Sequence, residues 1–153
     1  MQESPHKYRH IRMTQKLSAE HEIKKDILLS LEAWDDNFDF YSLDLSDTQK
    51  IDDAYNSISP ATAHLEDEIQ NSTYEFRDSF SEETNIECEW SRHYESKSVA
   101  KRLSNGKWVG YTYWYGGGKH GEPSSIDWME DSYFLDCKEE QKVMTVRTFS
   151  KQD

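Results

Sequence analysis

Two short strings place reactive side chains at spacings that chemistry could use. In Asp35-Asp36-Asn37-Phe38-Asp39 the residues Asp35, Asn37 and Asp39 occupy the first, third and fifth positions of a calcium loop, whose oxygen ligands converge on one ion. The pattern then breaks. The sixth position is Phe40, where a sharp turn needs glycine, and the twelfth is Ser46, where a bidentate Glu belongs. A turn carrying helix-capping acids fits better, and neither a metal nor a cofactor is expected. The second string is Tyr115-Gly116-Gly117-Gly118-Lys119-His120-Gly121-Glu122-Pro123. Its glycines admit backbone conformations or close approaches that side chains would block, and Lys119, His120 and Glu122 could serve a site with His120 as acid or base. A phosphate-binding loop does not fit, because Tyr113 stands five residues before Gly118 and His120 follows Lys119. The expectation is a hairpin loop, with a small enzyme or ligand-binding site as the alternative.

The remaining search for chemistry is thin. The six His residues are scattered, and no HExxH helix, nucleophile elbow or dinucleotide fingerprint is present. Cys88 and Cys137 fall on expected inward strand faces, where free Cys acts as a small hydrophobe. Trp108, Tyr111, Tyr113, Trp114 and Tyr115 put aromatics on both faces of one strand. One face must be core. The other, expected to carry Tyr111, Tyr113 and Tyr115 beside Arg102, would be a protein-contact hot spot or the seat of the N-terminal helices. A base-stacking platform would want a more basic surround than Lys97, Lys101, Arg102, Lys107 and Lys119 supply.

Charge is a stronger signal. Between Asp26 and Glu89 stand 18 Asp/Glu against two bases, Lys50 and Arg77. Residues 1–25 hold six Lys/Arg against three Glu, and residues 90–153 hold ten against nine, so +3 − 16 + 1 gives the net −12. Such a field repels nucleic acid and anionic membrane and draws basic protein surfaces. A surface selected for solubility alone usually intersperses both signs.

These residues must be positioned by one chain of 153 residues, long enough to bury a core. Hydrophobic content is 35% and mean hydropathy −1.00, yet 20 aromatics argue against disorder. No apolar run reaches membrane-span length, and the polar start is unlike a signal peptide. Two separated cysteines make no secreted disulfide framework. A soluble cytoplasmic protein is expected.

Residues 1–17, with His6 and His10, read as a flexible basic arm, and 18–153 as a single α+β domain. Within it, 18–81 is the acidic helical part and 82–153 the sheet part. Ser18 caps a first helix with Ile23, Ile27, Leu31 and Trp34 inward. Phe38–Leu45 is a short strand or a loop lending aromatics to the core. Ser46-Asp47-Thr48-Gln49 fits a capping box ahead of Ile51, Ala54, Tyr55 and Ile58. Ser59-Pro60 restarts a third helix, with Leu65, Ile69, Thr73, Phe76 and Phe80 on one arc and Glu66, Asp67, Glu68, Glu75 and Asp78 on the rest. Ile86, Cys88, Trp90 and Tyr94 then alternate as a half-buried strand. Asn105-Gly106 predicts a two-residue hairpin turn that sets Leu103 opposite Trp108 and Ala100 opposite Tyr111. Ser124/Ser125 cap a short helix through Glu130, and 133–137 with 142–149 form a second hairpin around Lys138–Gln141. About three helices packed on an antiparallel sheet of four to five strands make the fold class α+β.

In size, lone-domain character and the acidic block at 26–89, the chain resembles the small acidic anti-CRISPR and anti-restriction proteins of phages and mobile elements. The resemblance implies a non-enzymatic inhibitor in a bacterial host cell. Its partner would be a basic nucleic-acid-binding protein or complex of Cas, restriction or nuclease type, with no direct contact to nucleic acid or membrane. An immunity protein guarding against a basic nuclease toxin is the variant with the same physics. The carboxylates available to engage such a partner are Asp35, Asp36, Asp39, Asp44, Asp47, Asp52, Asp53, Glu66, Asp67, Glu68, Glu75 and Asp78. Tyr111, Tyr113, Tyr115, Lys119, His120 and Glu122 are candidates for a second contact.

Overall fold

A computed structural model describes residues 16–153. Most of the basic arm, including His6 and His10, lies outside the described residues. Among the described residues three helices lie in the N-terminal half: α1 (Ala19–Ser30), α2 (Thr48–Tyr55) and α3 (Glu66–Asp78). They are followed by an antiparallel sheet of β1 (Glu82–Glu83), β2 (Glu95–Arg102), β3 (Trp108–Tyr115) and β4 (Tyr133–Leu135), in spatial order β1-β2-β3-β4. The fold is α+β.

α1 is the central element. Ser18 caps it, its side chain accepting from the His21 N–H at 3.2 Å, and Glu20 and Glu22 sit in the favourable first turn. Ala19, Ile23 and Ile27 pack with Phe76 of α3, with Val99, Leu103, Val109 and Tyr111 of the β2–β3 hairpin, and with Trp128 and Met129. Leu28 and Leu31 face a second cluster with Ala54, Leu65 and Ile69. Phe38, Phe40 and Leu45 lean on that cluster from a loop, not a strand, and Tyr55 touches both clusters. The polar side chains of α1 tie it down as well. Glu22 accepts from Lys107 at 2.8 Å and from Asn105 at 3.3 Å, and Asp26 accepts from the Ser104 N–H at 3.1 Å.

Several boundaries differ from the sequence reading, each for a physical reason. Trp34 is exposed, because α1 ends at Ser30 and a 3-10 turn over Leu31–Ala33 rotates it away from the stripe. Asp47, not Ser46, caps α2, accepting from the Lys50 N–H at 2.8 Å. The capping-box Gln49 turns forward to Asp53 instead. α3 starts at Glu66 rather than at Pro60. The segment before it is a run of turns in which the buried Thr62 hydroxyl donates to the Ala54 carbonyl at 2.8 Å.

The β2–β3 hairpin exists, but its register is shifted by one residue. Arg102 faces Trp108, Ala100 faces Gly110 and Val99 faces Tyr111. The Gly106 N–H donates to the Leu103 carbonyl at 2.9 Å, the Leu103 N–H donates to the Lys107 carbonyl, and only Gly106 in the turn has positive φ, +89°. The loop is therefore a turn followed by a left-handed glycine, which takes one residue more than a two-residue Asn-Gly turn. Tyr111 consequently shares the helix-facing side with Val99 and Val109 and is 0% exposed.

The alternation at Ile86, Cys88, Trp90 and Tyr94 makes no strand. β1 holds two residues, and Ile86 and Trp90 are exposed. A period of two is satisfied equally by an extended loop that no strand pairs. Cys88 is half-buried and Cys137 exposed, so neither occupies an inward strand face. After Pro123–Ser125, a 3-10 turn, no helix runs to Glu130. Asp127, Glu130 and Asp131 would place like charges at i+3 and i+4. The second hairpin is absent too. β4 pairs with β3 at Trp108–Gly110, and residues 136–153 continue as an exposed segment. Among the described residues no helix is long and apolar enough to cross a membrane.

Candidate functional site

The twelve candidate carboxylates divide by what they already hold. Seven accept hydrogen bonds within the chain. Asp35 accepts from the Asn37 N–H at 2.9 Å and Asp39 from the Tyr41 N–H at 3.0 Å. The would-be calcium ligands thus fold onto their own backbone instead of converging. Asp47 is the α2 cap, and Asp53 accepts from Gln49 at 2.8 Å. Asp44 takes Lys50 at 2.7 Å, and this hydrogen bond, with those from Ser46, holds its carboxyl below the usual range. Asp78 takes Arg77 at 2.6 Å and the Tyr113 hydroxyl at 3.3 Å.

Asp52 bridges two helices. It accepts from Lys24 of α1 at 2.8 Å and contacts His21 at 3.0 Å, while Lys24 also reaches Glu20 at 2.9 Å. Burial alone would raise the Asp52 carboxyl, but the hydrogen bonds from Lys24 and His21 outweigh it and the pKa is lowered. For Lys24 burial pulls down, and the bonds to Asp52 and Glu20 win, raising it. This network ties α1 to α2. It was invisible in the charge count, where Lys24 lies just outside the acidic block, although an i, i+4 Glu20–Lys24 pair could have pointed to it.

Asp36, Glu66, Asp67, Glu68 and Glu75 make no hydrogen bond or ion pair through their carboxylates among the described residues. All but the half-buried Glu68 are exposed. The fold gathers most of them. Leu31 and Leu65 share a core cluster, and His64 Nε2 stands 4.0 Å from Asp35 Oδ2. The Asp35-Asp36 turn therefore lies beside the N-terminal end of α3, where Glu66, Asp67 and Glu68 fill the first turn. That end has no side-chain cap, so its acids also favour the helix dipole. Glu66 and Asp67 line a groove of about 680 Å³ with Tyr55, Gln70 and Tyr74. Its floor includes the Tyr55–Thr73 hydrogen bond of 2.9 Å.

The other end of α3 is pinned. Tyr111 donates to the Arg77 carbonyl at 2.8 Å, and Lys101 donates to the Ser79 carbonyl at 2.7 Å. Burial pushes the Tyr111 hydroxyl well above its usual pKa. The buried Arg77 donates to Asp78 and to the Trp114 carbonyl and lies 4.3 Å over the Tyr113 ring. The acidic helix is thus held rigidly against the sheet.

Of the second-contact candidates, Tyr111 is entirely in the core and is withdrawn from any partner. Tyr113 and Tyr115 stack at 5.9 Å, with Lys97 Nζ 5.7 and 5.3 Å from their centroids, and both are half-buried. Arg102 is at the opposite end of the hairpin from Tyr115. Lys119 and Glu122 are exposed, and His120 sits in the 3-10 turn Gly118–His120. Gly117, at φ +89°, lets the backbone pass the Tyr94 ring, which a Cβ would approach to 2.6 Å. Gly117 therefore serves a close packing contact, whereas a Cβ at Gly118 would meet nothing within 4 Å. Among the described residues no group of three His, Cys, Asp or Glu side chains is placed to hold a metal ion. Compared with protein-family models, curated proteins and solved structures, the chain gives no match.

Proposed function

We propose that this chain is a non-enzymatic inhibitor that binds and blocks a basic surface on a nucleic-acid-handling protein. The observation that carries this reading is the cluster at the N-terminal end of α3. Asp36, Glu66, Asp67 and Glu68 stand together there without a cationic partner among the described residues, while Lys50 and Arg77 are spent on Asp44 and Asp78. Glu66, Asp67 and Glu68 are consecutive residues that fan out around the first turn of α3, so with Asp36 they concentrate negative charge at one end of the helix. A basic groove built for phosphates attracts such a concentration of charge. The pinned C-terminal end of α3 keeps the cluster in place, so little conformational freedom is lost on binding.

Affinity capture of the full chain from its source cells at low and high salt, read by mass spectrometry, tests the proposal. The expected partner is basic, is lost at high salt and is lost with Glu66→Lys/Asp67→Lys/Glu68→Lys. It is retained with Asp44→Asn, because that carboxylate is already spent on Lys50. A partner held unchanged by the triple variant, or indifferent to salt, sinks the reading.

A further inference from the structure

The segment after β4 has strand chemistry and no strand partner among the described residues. Lys142-Val143-Met144-Thr145-Val146-Arg147-Thr148-Phe149 is rich in β-branched and aromatic residues. Yet Val143, Met144, Val146 and Phe149 are between 78% and 102% exposed. Exposed apolar side chains gathered on eight consecutive residues mark a binding surface. In extended backbone Val143 and Phe149 share one face with Arg147, and Met144 and Val146 take the other. Lys142, Arg147 and Lys151 make 141–151 a stretch of +3 with no acid, the reverse of the molecule as a whole.

A complementary seat exists on the same chain. The helices cover the Val99–Tyr111 face of the sheet. On the opposite face Ala100, Trp108 and Leu135 line a groove of about 800 Å³, bordered by Ile86 and by Glu82 and Glu139. Asp136, Cys137 and Lys138 line it too, so the arm leaves from the edge of the groove and then runs away from it. Apolar floor and acidic border match the apolar, basic arm.

We propose that two copies of this chain pair by exchanging residues 142–149, each arm lying in the groove beside β1 of the other copy. Because arm and seat belong to the same surface, one two-fold axis satisfies both copies at once and the assembly closes as a dimer. Val143 and Phe149 bury against Ile86, Trp108 and Leu135, and Arg147 pairs with Glu82.

Sedimentation equilibrium of the full chain tests this. The wild type is expected at twice the 18.1 kDa chain mass. Val143→Asp/Phe149→Asp, at positions too exposed to disturb the fold, is expected to stay monomeric with an unchanged melting curve. Glu82→Lys should weaken the dimer about tenfold, and adding Arg147→Glu should restore it. A wild type that is monomeric throughout, an arm variant that dimerises as well as wild type, or a Glu82→Lys dimer of unchanged strength overturns the proposal.

Discussion

Asp52 shows how a carboxylate available for docking in the sequence becomes an internal one in the fold. Lys24 and His21 hold it below its ordinary pKa of 3.8, against the upward pull of burial. It therefore binds fewer protons folded than unfolded. The stability it contributes is present above its ordinary value and lost as pH falls through the lowered one. Lys24, raised above 10.5, contributes stability that is complete below that value and lost as pH rises through the raised one. Urea denaturation of Asp52→Asn is expected to show a loss of about 1–2 kcal/mol at pH 7, discounted for the partial exposure of the carboxylate. The loss should shrink at pH 3, where the wild-type carboxylate also takes up protons. An equal deficit at both pH values would mean that the side chain acts by packing, not by charge. The sequence displayed Asp52 and the exposed Asp67 as equivalent charges. Only the approach of α1 to α2 separates them, and a contact between residues 28 positions apart leaves no mark in local spacing.

At the scale of elements, the amphipathic helices were legible because a period of 3.6 has one economical explanation, burial of a stripe. Ile23, Ile27, Ile69 and Phe76 are all buried as their spacing requires. Strands were legible only where a partner followed directly. The β2–β3 hairpin formed around its Asn-Gly turn, whereas alternation at 86–94 and the β-branched residues of 142–149 specified extended backbone without saying what would pair with it. The first residue of α3 and the one-residue shift in the hairpin escaped for a related reason: each depends on turn geometry, to which several local sequences are equally suited. β4 is short, and one close approach positions it. A Cβ at Gly110 would lie 2.5 Å from the Tyr133 ring, which crosses the β3 backbone there. Gly110→Ala is therefore expected to cost about 1–3 kcal/mol by displacing Tyr133. Gly110→Ala/Tyr133→Ala should recover part of that cost. Thermal denaturation of both variants distinguishes this clash from a general loss of strand, in which the second substitution would deepen the deficit.

For the whole molecule, the decisive quantity is the charge that folding leaves uncompensated. Both bases of the acidic block are consumed locally, and Lys24 and Lys97 reach in from outside it to Asp52 and Glu83. The net remains −12. Exposed Glu130 feels the same crowding: the hydrogen bond with Asp127, with repulsion from Asp127 and Asp131, raises its pKa. Compact acids at this density repel one another, and the folded state suffers more than the extended chain, in which the charges are farther apart. Screening over a Debye length of about 10 Å at 0.1 M salt reaches the exposed carboxylates but not the partly buried Lys24–Asp52 pair. Added salt should therefore relieve repulsion while sparing the cohesive contacts. The melting temperature is expected to rise by about 2–4 °C between roughly 0.01 and 0.3 M sodium chloride, with most of the gain below 0.1 M. Asp36→Asn/Glu75→Gln, which leaves the first turn of α3 intact, should melt higher than wild type at low salt and converge with it at high salt. A melting temperature that falls with salt would show that ion pairs dominate stability. The free carboxylates at the head of α3 would then have to be reckoned as structural. Opposite signs of salt dependence, stability rising while partner binding falls, are the signature of acids retained for a surface outside the chain.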